Sequence, residues 1–213
     1  MNIQLRSLTE RIHLVTFDSQ REVASTFLRF QEHYESPEFR GKVFSLGEYK
    51  KWYIENSPMG KKTGEFTYCY DWAGFNVPSY VFISFRKGDF DPLSRKEKKL
   101  LNILEDKPEP FYVIGSFRGI GYKGVVKHEL AHGLFYTDEE YREEIMNVLK
   151  KFDLSKVKDN LRALASYHED VLDDECHAYC AGGYNSTSRM MPTEMRKKIR
   201  EIYKKHARKA SIT

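Results

Sequence analysis

An α+β domain is the fold class that this sequence predicts. Stretches that read as strands come early in the chain and helical patterns dominate from about residue 119 onward, an order typical of α+β proteins. The 213 residues are 40% hydrophobic and include 14 Phe and 14 Tyr, enough for one substantial core. Charged residues make up 31% and are mixed in sign, which argues against wholesale disorder. No apolar run is long enough to span a bilayer as a helix, and residues 1–6 do not open a signal peptide. Three cysteines, Cys69, Cys176 and Cys180, fit a reducing, cytoplasmic setting rather than a disulfide framework. A single domain is therefore expected over 1–213. It has a strand-rich part (1–118), a central helical part (119–194) and a basic C-terminal helix (195–213).

Taken in order, residues 12–17 (Ile-His-Leu-Val-Thr-Phe) predict the first strand. Asp18 or Ser19 then caps a helix whose buried face carries Val23, Phe27, Phe30 and Tyr34, and Ser36-Pro37 ends it. A short strand is expected at 42–45, an aromatic-rich helix at 46–55 and a turn at 60–64. Residues 65–72 alternate aromatic and polar side chains, as a half-buried strand does, before Val77-Pro78 breaks the run. Residues 80–85 (Tyr-Val-Phe-Ile-Ser-Phe) give the clearest strand signal in the chain, followed by a helix at 95–105 and a strand at 111–115. A glycine-rich loop leads into a helix expected to break near 133–137. Thr137 and Glu140 form a capping box for the next helix, 138–151. Helices at 155–167 and 169–181, a stop at Gly182-Gly183, a loop at 184–192 and a last helix at 193–210 complete the chain.

The chemistry concentrates in the helix that follows the glycine loop. His128-Glu129-Leu130-Ala131-His132 places two imidazoles four residues apart, hence on one helix face, where both can reach a single ion. That spacing suits Zn²⁺. Glu129 sits about 100° round the helix from His128, placed to exchange a proton with a metal-activated water without being a ligand. The surrounding Val125, Val126, Leu130, Leu134 and Phe135 mark a core helix, in which three unpaired polar residues would be costly to bury.

The preceding loop, Gly119-Ile-Gly-Tyr-Lys-Gly124, matches a dinucleotide fingerprint in letter only. A charged helix, and not a second parallel strand ending in an acid, follows it. A rim or a turn is the expected role. Cys176, His177 and Cys180 could in principle ligate zinc, but buried hydrophobic thiols are the expected reading.

A catalytic zinc site needs a third protein ligand, and the acids of 166–181 supply several. Glu169 and Asp173 form a Glu-x-x-x-Asp pattern and share a helix face with Cys176 and Cys180, whereas Glu175 points elsewhere on that wheel. Glu175-Cys176-His177-Ala178, 43 residues after His132, reads as Glu-x-x-Ala. Together with H-E-x-x-H, over about residues 111–183, it resembles the gluzincin branch of the zincin metallopeptidases, the lethal-factor-like members in spacing. The resemblance implies a zincin-like fold, Zn²⁺ held by His128, His132 and Glu175, and Glu129 as general base and acid. Glu169 and Asp173 remain alternatives for the third ligand. It also implies an oxyanion donor just upstream of the ligand Glu, Tyr167 first, with His168 beside it. The implied activity is hydrolysis of peptide bonds in a peptide or protein substrate by a metal-activated water. The resemblance further implies substrate bound along a sheet edge, for which 111–115 is the strand at hand. The alternative is a catalytically silent zincin-fold module that binds or regulates.

Residues 195–210 carry eight Lys and Arg against Glu201 alone, a net +7, so the rest of this +4 chain is at −3. A docked terminal helix with a solvated basic face is expected, and a nucleic-acid partner is not.

Overall fold

The computed structural model describes residues 2–165, 168–182, 186–208 and 210. In chain order the elements are β1 (Ile3–Ser7), β2 (Ile12–Phe17), α1 (Gln20–Glu35), α2 (Leu46–Asn56), α3 (Pro58–Thr63), α4 (Tyr68–Asp71), β3 (Gly74–Pro78), α5 (Phe82–Arg86) and α6 (Arg95–Ile103). They continue with β4 (Tyr112–Phe117), α7 (Tyr122–Thr137), α8 (Glu139–Leu149), α9 (Ser155–Ala165), α10 (Leu172–Gly182), α11 (Ser186–Arg189) and α12 (Thr193–Ala207). The class is α+β: one four-stranded mixed sheet with helices on both faces.

The sheet order is β1-β2-β4-β3. The central pair β2 and β4 is parallel, and each flanking strand is antiparallel to its neighbour. Every residue of β2 is buried, which is why it reads as an unbroken apolar strand. Val15, Phe17, Phe75, Val77 and Val113 face α1, whose Phe27 and Phe30 complete that half of the core. Ile12, Leu14, Tyr112 and Ile114 face α7, through Val126, Leu130 and Leu134. Ser19 caps α1 by accepting from the Glu22 amide.

Several elements differ from expectation. Residues 80–85 are helical: Val81, Phe82 and Phe85 are buried while Tyr80 and Ile83 are 49% and 47% exposed, so burial follows a helical and not a two-residue period. An unbroken apolar run carries no period of its own. The sheet position falls instead to β3, which takes up Val77 and Pro78; Pro78 is tolerated because β3 is an edge strand. The alternating stretch 65–72 becomes the single turn α4. Its rings leave the sheet for an aromatic cluster in which Phe66 stacks on Tyr68, with Tyr49 and Tyr53 against them. Residues 42–45 form no strand, and 58–63 form α3 where a turn was expected.

Helix α7 runs through Gly133 and ends at Thr137, the far end of the expected break at 133–137. Gly133 is where the helix lies closest to the sheet: a Cβ there would meet Ile12 and Tyr112 at 3.1–3.3 Å. The expected Thr137–Glu140 box is replaced by Asp138, which caps α8 by accepting from the Tyr141 amide. A 3₁₀ turn, Glu169–Val171, precedes α10. The loop expected at 184–192 contains the one-turn α11. Strand β4 is interior, between β2 and β3, so 111–115 is not the free edge; the edge beside α7 is β3.

Helix α12 buries Met195, Ile199, Tyr203 and His206 and turns its basic residues outward. Arg200 donates to the Cys180 carbonyl and Lys205 bridges Glu140 and Glu144, which ties the helix to α10 and α8. No helix among the described residues is long and apolar enough to cross a membrane.

Candidate metal centre

Helix α7 starts at Gly121, whose φ of +84° sets the turn out of the glycine loop. Its second and third turns present His128, Glu129 and His132; Glu129 and His132 are buried and His128 is half-buried. The two imidazoles meet edge to face with their Nε2 atoms 3.2 Å apart.

Helix α10 brings the third group. It can lie against α7 because the face it presents is small: a Cβ on Gly182 would sit 2.8 Å from the His128 Cβ. The His128 ring also hydrogen-bonds the Ala178 backbone. One turn before Ala178 is Glu175, 3% exposed. Its Oε1 is 3.5 Å from His132 Nε2 and its Oε2 is 3.7 Å from His128 Nε2. The two imidazole nitrogens are thus 3.2 Å apart, and each has one of the two Glu175 oxygens within 3.7 Å. Tetrahedral zinc with donors at roughly 2.0–2.1 Å has donor–donor edges of about 3.3–3.4 Å. The residues present therefore fit a Zn²⁺ ion in both donor type and spacing.

The neighbours orient these donors. Asp174 Oδ1 lies 2.9 Å from His132 Nδ1 and 3.2 Å from His177 Nδ1. His177 Nε2 is 3.3 Å from the Ala131 carbonyl, and its ring stacks on Phe135. With Nδ1 occupied by a carboxylate, His132 offers Nε2 to the centre. Glu129 is held from the other side: its Oε2 accepts from Asn76 Nδ2 at 2.8 Å, and Asn76 Oδ1 accepts from the Tyr112 hydroxyl at 2.5 Å. The Asn76 amide donates to Gln31, which in turn donates to Glu35 at 2.6 Å. Gly74, at the start of β3, lets the strand approach this close: a Cβ there would displace the Glu129 carboxylate or Val125.

The electrostatics follow from four carboxylates (Glu35, Glu129, Asp174 and Glu175) and three imidazoles (His128, His132 and His177) gathered in one place. Burial raises Glu129, offset in part by His132 and the Asn76 hydrogen bond. Burial and the nearby Glu175 raise Glu35 well above the carboxylate range. Burial opposes a charge on His132, but Asp174 and Glu175 outweigh it and carry His132 up to about 10. Burial and His132 push His128 down to about 3. Burial likewise opposes charge on Asp174, yet His132 and His177 hold it well below the usual range. Negative charge in excess inside a protein is costly unless a cation balances it. A divalent ion among these donors would do so.

Of the acids weighed for the third position, the structure brings Glu175 to the imidazoles and leaves the others outside. Glu169 lies in the 3₁₀ turn and pairs with Arg162 at 2.7 Å; Asp173 pairs with Lys158 at 2.8 Å. The expected face shared by Glu169 and Asp173 does not form, because Glu169 precedes the helix. Tyr167 lies outside the described residues. His168 caps the 3₁₀ turn by accepting from the Asp170 amide. Cys176 and Cys180 are buried free thiols, each pushed up to about 12 by burial, and Cys180 packs on Met191. Both nitrogens of His177 are engaged elsewhere, so no Cys–His set forms. Sequence reasoning missed Asp174, Asn76, Gln31 and Glu35, and weighed His177 only as a partner of Cys176 and Cys180. Only Asp174 carried a local signal, its place beside Glu175. Glu140, Glu144 and His206 also cluster, but the Lys205 ammonium already sits between the two glutamates.

Compared with protein-family models, curated proteins and solved structures, the chain matches none.

Proposed function

We propose that this chain is a zincin-type, zinc-dependent metallopeptidase that hydrolyses peptide bonds, with His128, His132 and Glu175 as metal ligands and Glu129 as general base and acid. The observation that carries the reading is the convergence of two imidazole nitrogens and the Glu175 carboxylate, each imidazole nitrogen within 3.7 Å of a carboxylate oxygen, with Glu129 beside them but tied back to Asn76. Zn²⁺ held there supplies Lewis acidity, which acidifies water and polarises a carbonyl.

The remaining work falls to the chain's own residues. Glu129 takes the proton of the attacking water and delivers it to the departing amine. Asn76, fixed by Tyr112 and Gln31, points the Glu129 carboxylate. Asp174 keeps the His132 ring in the tautomer that leaves Nε2 free. The edge strand β3 starts against Glu129, so a peptide that pairs with β3 as an added strand is carried past the centre.

The test is metal content and cleavage together. Protein purified without added metal should hold about one zinc per chain, the number one such site takes. Glu129→Gln should retain the zinc while losing on the order of 10²–10⁴-fold in turnover of an unfolded protein substrate. Zinc without cleavage in the wild type would point to a binding module on the same scaffold. Failure to take up zinc at all would overturn the reading.

A further inference from the structure

Between α1, α2 and α4 lies a cavity of about 290 Å³ lined by Glu32, Tyr49, Trp52, Tyr53, Asp71 and Trp72, with residues of α3 at its rim. Tyr49 and Tyr53 are 2% and 3% exposed and form its floor, while Trp72 is 36% exposed, at its mouth. The cavity combines aromatic faces with two carboxylates. Burial raises Glu32 from 4.5 to about 7, opposed in part by hydrogen bonds from Tyr68, Tyr49 and Ser36, and a cation beside it would favour its charged form. Asp71 accepts from the Tyr53 and Thr67 hydroxyls. Among the described residues, neither carboxylate is ion-paired with a lysine or arginine, although 35 of the chain's residues are Lys or Arg.

We infer that this cavity takes a cationic side chain of a bound peptide, arginine foremost. An apolar occupant would bury the carboxylates uncompensated, and an anion would be repelled. A guanidinium instead stacks on tryptophan and tyrosine faces, donates to carboxylates through a planar fork, and lays an apolar stem along the walls. Two links tie its walls to the proposed centre. Trp72 is two residues before Gly74, which abuts Glu129, and Glu32 is one turn from Glu35, which feels Glu175. The inference thus deepens the peptidase reading by naming a specificity pocket, and as a substrate subsite it rests on that reading.

Trp52 and Trp72 are the only two tryptophans of the chain, so intrinsic fluorescence reads this cavity directly. The full-length protein is titrated with acetyl-arginine amide and with acetyl-citrulline amide, its uncharged counterpart. A saturable change is expected with the arginine amide, at a dissociation constant on the order of 1 mM for so small a ligand. Binding about tenfold weaker or worse is expected with the citrulline amide, and likewise with the arginine amide on Asp71→Asn or Glu32→Gln. The two variants sit on different helices, and a melting temperature on each confirms its fold. Equal binding of the two amides, or no fluorescence change with either, overturns the pocket. Cleavage mapping on a peptide mixture separates the two readings. Cleavage clustered near arginine and lysine supports both, and cleavage indifferent to them removes the pocket but leaves the peptidase. Arginine binding without any cleavage keeps the cation site and removes the peptidase.

Discussion

Asp174 Oδ1 stands 2.9 Å from Nδ1 of His132, while Nε2 of the same ring faces Glu175 at 3.5 Å. Neighbouring acids on α10 thus lie at the two ends of one imidazole, Asp174 at Nδ1 and Glu175 at Nε2, the nitrogen proposed to face the metal. Asp174→Asn keeps the shape but loses the charge that fixes the tautomer. Zinc affinity should fall by about 10–100-fold, measured by competition against a chelating dye. Glu175→Ala should fall further, and Glu169→Ala, on the surface with Arg162, should bind as the wild type does. Wild-type affinity in Asp174→Asn would remove that residue from the centre.

The legible parts of this molecule were those with local signals. A cap and apolar spacing marked α1, apolar spacing marked α12, and the apolar run 12–17 marked β2. The pair His128 and His132 is legible because one helix turn fixes their relation. Glu175 was legible only through the small residue that follows it, Ala178. A helical wheel started from Glu169 misleads because the chain turns as a 3₁₀ segment before α10 begins. The sheet edge was misplaced because Tyr80–Phe85 looks more strand-like than Gly74–Pro78, although the second is the strand. Asn76, Gln31 and Glu35 reach the centre only through tertiary contacts made by β3 and α1. Nothing in their local sequence announces that.

The approach of α10 to α7 rests on Gly182. A Cβ there meets the His128 Cβ at 2.8 Å, its Cα at 3.0 Å and its amide nitrogen at 3.2 Å, and backbone cannot swing aside as a long side chain can. Gly182→Ala should therefore push the helices apart, at about 1–3 kcal/mol of stability, and draw Glu175 away from the imidazoles. Melting temperature and zinc affinity should fall together. Gly124→Ala is the control: in the first turn of α7 its Cβ meets nothing within 4 Å, and up to about 1 kcal/mol of stabilisation is expected from helix propensity.

Away from the centre, α6 is anchored to α1 by one buried pair. Arg29 Nε and Nη2 donate to the two Glu97 oxygens at 2.6 and 2.7 Å, and Nη1 donates to the Phe90 carbonyl at 2.9 Å. Glu97 also accepts from the Ser94 amide, closing the capping box of α6. Arg29→Met strands a buried carboxylate, and breaking such a pair costs about 3–5 kcal/mol. Arg29→Met with Glu97→Gln should recover part of that loss, because the amide oxygen can still cap while the charge is gone. Urea denaturation of both variants measures the difference; a double variant no more stable than Arg29→Met would mean that the bond to Phe90, and not the stranded charge, sets the cost.

His13 should make the fold acid-sensitive for a reason unrelated to the metal centre. It lies on β2, 2% exposed, with Nδ1 3.0 Å from the Ser7 hydroxyl. Burial, and then the positive charge of Lys107, lower it from 6.5 to about 4. Between those two values the unfolded chain binds a proton that the folded chain refuses, so stability rises with pH across that window. On acidification the contribution is lost from about pH 6.5 downward, and it is gone below about 4. The loss is on the order of 3 kcal/mol. His13→Gln removes the titration and leaves every group of the centre in place. The stability gap between wild type and variant should therefore shift by about that amount, against the wild type, on going from neutral pH to pH 4. Chemical denaturation of both proteins at the two pH values measures it. Parallel loss in the two would assign the acid sensitivity to other groups.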